Sequence, residues 1–333
     1  MLAFGKLHER RGARHMAISV ETVGIVGAGL IGRSWANVFA RSGWHVVVWD
    51  PVPEARAAAV ELIGQSLADL AEHGLVVDAA AARARVRVVE TLEEAVRDAD
   101  FVQESGPETR EAKIEIFKQL DAAARPDTVL ASSTSAIVSS QFTEGLKGRH
   151  RCLVAHPVNP PHLVPVVEIC GAPWTSEETK ERTRAIFKSV GQVPVTVKKE
   201  IDGFVLNRLQ VALLAEAFRL VQDGVVSPED LDHTVADGLG LRWAFMGPFE
   251  TIELNAPEGI ADYCKRYTPW FKRYMADMPL PDVWDDMKVK LVADAWGPKP
   301  SAAGVLKKSQ WRNRRLAALI AHKRKSPGYG GGA

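Results

Sequence analysis

Cysteine is nearly missing from this chain: Cys152, Cys170 and Cys264 are the only three in 333 residues, and no two form a CxxC pair. So sparse and odd a set excludes a disulfide framework, and a reducing, cytoplasmic location is expected. An excess of charge of either sign is missing too. Lys and Arg total 42 against 41 Asp and Glu, a formal net charge of +1. Such a balance gives a nucleic acid or an anionic membrane nothing to hold. No apolar run is long enough to span a bilayer. Met1 to Met16 is polar and basic, without the apolar centre of a signal peptide. A flexible arm over residues 1–19 is expected, with Met16 as an alternative start. Internal repeats are absent, and no metal is called for. What remains is an ordinary globular composition, 46% hydrophobic, in a chain long enough for two domains.

The strongest positive signal is a glycine spacing. Val23-Gly24-Ile25-Val26 reads as a buried strand and runs into Gly27-Ala28-Gly29-Leu30-Ile31-Gly32. A helical segment follows from Arg33 to Ser42, with Trp35, Val38 and Phe39 at helical spacing. A second strand-like run, Trp44 to Trp49, then ends at Asp50. That order is what a dinucleotide site requires. Gly27 allows a sharp turn, Gly29 a close approach of backbone to pyrophosphate, and Gly32 tight packing of helix on strand. The N–H groups around Leu30 and Ile31 then face the phosphates. Asp50 follows the motif by roughly the 20 residues expected of an acid that bonds the adenosine ribose. A 2′-phosphate would be repelled there, so NAD is the expected cofactor. His45 lies inside the second strand and reads as packing.

Further along, Glu54–Gly74 reads as a helix, Val86–Val89 as a strand, and Thr91 with Glu94 as a capping box. Phe101-Val102, Thr128–Ser132, Cys152–Ala155, Val166–Ile169 and Val193–Val197 are strand-like, with a helix through Lys113, Phe117 and Leu120. Strands alternating with helices predict a Rossmann-type doubly wound α/β sheet over residues 20–200. Beyond Gly203 the strand signal stops, and residues 201–325 are expected to form an all-helical domain. Phe204–Asp223 carries an apolar stripe broad enough to be buried against a second subunit, and Ser227-Pro228 is a helix start. Lys307–Lys325 is basic and amphipathic, and a solvated terminal helix is expected there. Residues 326–333, rich in glycine, form the expected disordered tail.

Chemistry-bearing residues gather at the carboxyl ends of these strands: Ser135, His156, Glu168 and, on the next helix, Asn207. A hydride leaving a carbinol carbon requires its hydroxyl proton to leave as well. A His suits that base, and a carboxylate on its other nitrogen fixes the tautomer. Singly, each has an ordinary reading, a capped turn for the His or an edge charge for the Glu. Together with Ala155-His156-Pro157-Val158-Asn159-Pro160-Pro161, Gly203-Phe204-Val205-Leu206-Asn207-Arg208 and Gly238-Leu239-Gly240-Leu241-Arg242-Trp243, they carry a resemblance. From Val23 to about Ala276 the chain resembles the 3-hydroxyacyl-CoA dehydrogenase family, and within it the lambda-crystallin group of L-gulonate 3-dehydrogenases.

The resemblance implies NAD-dependent oxidation of a secondary 3-hydroxyl to a ketone, in a homodimer built through the helical domain. It implies His156 as general base, Glu168 as its partner, and Ser135 and Asn207 as groups bonding the substrate oxygen and the nicotinamide region. Glu108, Lys113 and Asn159 match positions that contact the cofactor. The family's acyl-CoA members carry basic residues in the helix and loop after the second strand, whereas Glu61–Val77 here has no Lys or Arg. A small hydroxy acid, L-gulonate above all, is therefore expected over an acyl-CoA or carnitine. Arg208 and Arg242 are candidates to pair its carboxylate, or surface salt bridges. Trp243, Trp270 and Tyr274 are packing or a cage for a quaternary ammonium. A crystallin-like structural protein or an NAD-binding module is the non-enzymatic alternative.

Overall fold

Strands and helices alternate from Thr22 to Val197 in the computed structural model, which describes residues 21–278, 286–295 and 301–325. The arm expected over 1–19 and the tail over 326–333 lie outside the described residues. The strands are β1 (Thr22–Val26), β2 (His45–Trp49), β3 (Val86–Val88), β4 (Phe101–Glu104), β5 (Val129–Ser132), β6 (Cys152–Pro157), β7 (Val166–Gly171) and β8 (Val193–Val197). Between them run α1 (Leu30–Arg41), α2 (Pro53–Glu72), α3 (Ala79–Ala84), α4 (Leu92–Val96), α5 (Arg110–Ala123), α6 (Ser140–Thr143) and α7 (Glu177–Ser189).

The strands form one sheet in the order β3-β2-β1-β4-β5-β6-β7-β8, as the doubly wound reading requires. All neighbours are parallel except β6 and β7, which are antiparallel. The order reverses between β1 and β4, and ligands of open α/β sheets bind outside the carboxyl ends at such a point. Both faces are covered. One core joins Val23, Ile25 and Phe101 to Trp35, Phe39 and Phe187, whose rings touch (Phe101–Phe187 centroids 5.5 Å apart). The other joins Val102, Leu130 and Val154 to Phe117, Leu120 and Phe204. The capping box of Thr91 and Glu94 is present, and Ser176 accepts from Thr179 N to start α7.

After Val197 the described residues form only helices: α8 (Leu206–Gln222), α9 (Pro228–His233), α10 (Gly240–Trp243), α11 (Pro248–Glu253), α12 (Gly259–Asp277), α13 (Asp286–Ala295) and α14 (Ala302–Lys325), with a π-helical turn over Thr234–Leu239. Ser227 caps α9, with Pro228 in its first turn. The α8 stripe is uncovered within a single chain, and the outcome at α14 differs from expectation. The stripe on α8 is open: Leu209 is 66% and Leu213 39% exposed, and only Val221 is buried. The basic helix α14 is not solvated all round. It folds back onto the sheet domain, burying Ala317 in its core with Leu316, Ile320 and Ala321 alongside. These four recur at helical spacing, and that stripe outweighs the charge that surrounds it.

Candidate active site

Gly27 turns the chain off β1 with φ +105°, and a Cβ there would meet Ser105 O at 2.7 Å. A Cβ on Gly32 would sit 1.8 Å from Gly27 O, so no other residue lets α1 start so close to the strand. Gly29 differs, for nothing lies within 4 Å of its missing Cβ. That open space faces the start of α1, which has no side-chain cap and no acid in its first turn. Free N–H groups, a positive dipole end and open space fit a pyrophosphate. Asp50, at the end of β2, accepts from Ala28 N (2.7 Å) and Val52 N (2.9 Å). Each bond uses one lone pair of a different oxygen and leaves acceptor capacity for a ribose hydroxyl. The residues present therefore fit a dinucleotide.

Across the switch point, a cavity of about 520 Å³ opens at the carboxyl ends of β4, β5 and β6. His156, Ser135, Asn159, Asn207, Glu108, Lys113 and Ile31 all line it. His156 and Glu168 face each other across the antiparallel β6–β7 pair. His156 Nδ1 lies 2.8 Å from Glu168 Oε2, and both side chains are buried. The other carboxylate oxygen accepts from Val205 N (2.9 Å) and Leu206 N (3.0 Å) at the start of α8. Burial acts to raise the pKa of Glu168, but the bonds from His156, Leu206 and Val205 outweigh it and hold the group below its ordinary value. The Nε2 edge of the imidazole is thus the one free for a ligand in the cavity.

A strained turn aims those two amides. Phe204 is fully buried at φ +48°, a conformation costing about 1–2 kcal/mol for a residue with a Cβ. Its ring lies 5.4 Å from the His156 ring. Asn207, one turn into α8, donates from Nδ2 to Ser135 O (2.9 Å). The Ser135 loop is clamped from its other side by Glu108, whose Oε1 accepts from Thr134 Oγ1 (2.6 Å), Ser135 N (2.8 Å) and Ala136 N (3.1 Å).

Lys113 is almost completely buried. Its ammonium donates to both oxygens of Glu104 (2.8 and 2.9 Å) and to Gly106 O, 3.3 Å away. Glu104 also accepts from Ser132 Oγ and Gly106 N, both at 2.6 Å. Glu104 and Phe204 are not among the residues that the sequence marks as candidates. An acid closing the apolar strand β4, and a bulky residue directly after Gly203, were the signals available.

Arg208 and Arg242 do not line the cavity. Asn207 faces it, and the next residue on a helix points about 100° away; among the described residues Arg208 reaches only Asp202 O, 3.4 Å away. Trp243, Trp270 and Tyr274 are also elsewhere, 40%, 51% and 51% exposed, so they form neither tight packing nor a cage at this cavity.

Comparison with known proteins finds matches along most of the chain. The profile of the 3-hydroxyacyl-CoA dehydrogenase NAD binding domain matches residues 22–201, and that of the 3-hydroxyacyl-CoA dehydrogenase C-terminal domain matches 203–289. Lambda-crystallin from Oryctolagus cuniculus is 41% identical over 305 residues, covering 90% of this chain and 95% of that protein. An L-carnitine dehydrogenase from Pseudomonas sp is 35% identical, covering 90% of this chain and 93% of that one. The crystal structure of 5-formyl-3-hydroxy-2-methylpyridine 4-carboxylic acid 5-dehydrogenase, an NAD+ dependent dismutase, superposes with a TM-score of 0.80 at 30% identity, covering 91% of this chain and 99% of that one.

Proposed function

The chain belongs to the 3-hydroxyacyl-CoA dehydrogenase family, NAD-dependent dehydrogenases acting on CH–OH groups, and on that footing we propose that its substrate is a small 3-hydroxy acid, specifically L-gulonate, oxidised to 3-dehydro-L-gulonate. The buried His156–Glu168 pair is the observation that carries the chemistry. With Nδ1 held by Glu168, Nε2 takes the proton of the substrate hydroxyl, and the carboxylate stabilises the imidazolium that results. Ser135 and Asn207 act as neutral donors to the substrate oxygen, whose negative charge grows as the proton leaves. Bound NAD supplies the acceptor for the hydride leaving the same carbon. Asn159, Glu108 and Lys113 shape the nicotinamide end of the cavity.

Two observations support a small acid over an acyl-CoA. The stretch Glu61–Val77 has no Lys or Arg to meet CoA phosphates. In addition, α14 lies beside α2 there. Only about 170 Å³ is left between Ser66 and Leu70 of α2, His73 just past it, and Gln310, Asn313 and Ala317 of α14. A nucleotide on that surface has to displace a helix anchored in the core. No Trp, Tyr or Phe lines the active-site cavity among the described residues, which argues against a quaternary ammonium such as carnitine.

NADH absorbance with L-gulonate, 3-hydroxybutyrate, carnitine and 3-hydroxybutyryl-CoA tests the reading. Turnover with L-gulonate at the highest kcat/KM is expected, and turnover confined to the thioester or to carnitine contradicts it. NAD binding without turnover on any of the four returns a crystallin-like structural role. We also place the protein in the cytoplasm as a homodimer. Its three unpaired cysteines support the first, and the open apolar faces of its helical part support the second.

A further inference from the structure

At the cavity wall lies a polar cluster that neither the base nor the clamp on Ser135 uses. Its centre is Ser133 Oγ, just past β5. Trp35 of α1 is fully buried and its indole Nε1 lies 3.1 Å from that oxygen. Gln103 of β4 is also fully buried, and its Nε2 lies 2.7 Å from Ser133 Oγ and 3.3 Å from Ala155 O. An indole N–H only donates, and a backbone carbonyl only accepts. The carbonyl of Ala155 therefore fixes which way the Gln103 amide faces, so both neighbours donate to Ser133.

A hydroxyl oxygen has two lone pairs and one proton. With both lone pairs of Ser133 taken, its proton has one place to go: Ser105 Oγ, 2.9 Å away. Ser105 is thus an acceptor on that side, and its own proton is left to donate. Among the described residues no other partner of the Ser105 hydroxyl is present, and Ser105 lines the active-site cavity with Ser133 and Ile31. The backbone cannot turn away, because Ser105 N is held by Val26 O at 2.7 Å and Ser105 O abuts the Gly27 turn.

The topology says what lies above it. β2 and β4 flank β1 on opposite sides. Asp50 ends β2, so a dinucleotide with its adenosine ribose there and its pyrophosphate at the start of α1 lays its other half over the end of β4. We propose that Ser105 is a cofactor-binding residue that donates a hydrogen bond to an acceptor oxygen at the nicotinamide end of NAD, the carboxamide or the adjoining ribose. Ser133, held by Trp35 and Gln103, is the positioning residue that sets the direction of that donor. The cluster is an expensive one to bury for packing alone, for among the described residues Gln103 Oε1 has no partner. The proposal rests on the dinucleotide site and not on the identity of the hydroxy acid.

Calorimetric titration with NADH, ADP-ribose and ADP tests it without any turnover. Ser105→Ala should weaken NADH about 3- to 10-fold, the size of one neutral hydrogen bond, and leave ADP unchanged. A loss shared by ADP-ribose identifies the ribose as acceptor, and a loss confined to NADH identifies the carboxamide. Ser133→Ala should weaken NADH less, and the double variant should be no worse than Ser105→Ala, because one residue acts through the other. An unchanged NADH affinity in Ser105→Ala, or an equal loss for ADP, overturns the contact. Additive losses overturn the positioning role of Ser133. A wild-type chain that binds no NADH overturns the dinucleotide site itself, and the contact with it.

Discussion

Glu168 is held by donors on both oxygens: His156 on one, and Val205 and Leu206 N–H on the other. These bonds exist only in the folded chain, so its folded pKa lies below its unfolded one. The resulting stability is fully present above the ordinary carboxylate range and is lost as pH falls through the folded pKa. Glu168→Gln should therefore flatten the acid limb of melting temperature against pH. An acid limb identical to wild type contradicts this. In the proposed mechanism the same change also lowers kcat by about 10²-fold or more, because nothing then favours the imidazolium. Asp50 makes a second test. Asp50→Ala should weaken NAD about 10-fold through loss of a charged acceptor, and narrow its preference over NADP. An unchanged NAD:NADP affinity ratio removes the ribose contact. The residues that bear chemistry were legible because their types are rare and their spacing is fixed by strand ends. Ser105 and Gln103 were not, since a loop serine or a strand glutamine carries no signal until its neighbours' donors are counted.

The elements explain why the pair at His156 forms at all. Only 158–165 separates β6 from β7, and parallel strands need a crossover of about a dozen residues or more. So short a link forces the strands antiparallel and sets Glu168 opposite His156. That inference was open to the sequence, as was the carboxyl-edge position of Ser135. The docking of α14 was not, because Lys and Arg dominate its composition and its narrow apolar stripe finds a partner only in the folded sheet domain. Its seat carries a titratable group. His162 is enclosed by Arg41 of α1, Asp69 of α2 and His73 just past it, and Arg312 and Arg314 of α14. Burial, then Arg41 and Arg312, push its pKa from 6.5 down to about 4. The folded chain thus refuses a proton that the unfolded chain accepts, and stability falls as pH drops from 6.5 to about 4. The window corresponds to about 3 kcal/mol. His162→Leu should remove most of that slope, read as melting temperature at pH 7, 5.5 and 4; a slope equal to wild type contradicts it.

At the scale of the molecule the two parts are unequal. The sheet domain is covered on both faces, whereas α8 and α12 leave Leu209 (66%), Trp270 (51%) and Met275 (70%) open. Apolar surface of this kind is what a second copy of the chain covers in the proposed homodimer. Sedimentation should give twice the 36.4 kDa chain mass, and Leu209→Asp should shift it toward the single chain. A wild-type mass of one chain at micromolar concentration contradicts the dimer. The organisation into a sheet followed by helices was visible in the sequence because strand periodicity ends near residue 200. How the last helix returns to the first domain depends on contacts distant in sequence, which no local pattern reports. The account as a whole turns on His156, and one comparison tests it most directly: NADH formed from L-gulonate by wild type and His156→Ala, with NADH affinity measured on both. The expected result is a fall in kcat of about 10²- to 10⁴-fold with NADH affinity unchanged. Retained turnover in His156→Ala, or a loss traced entirely to NADH binding, contradicts it.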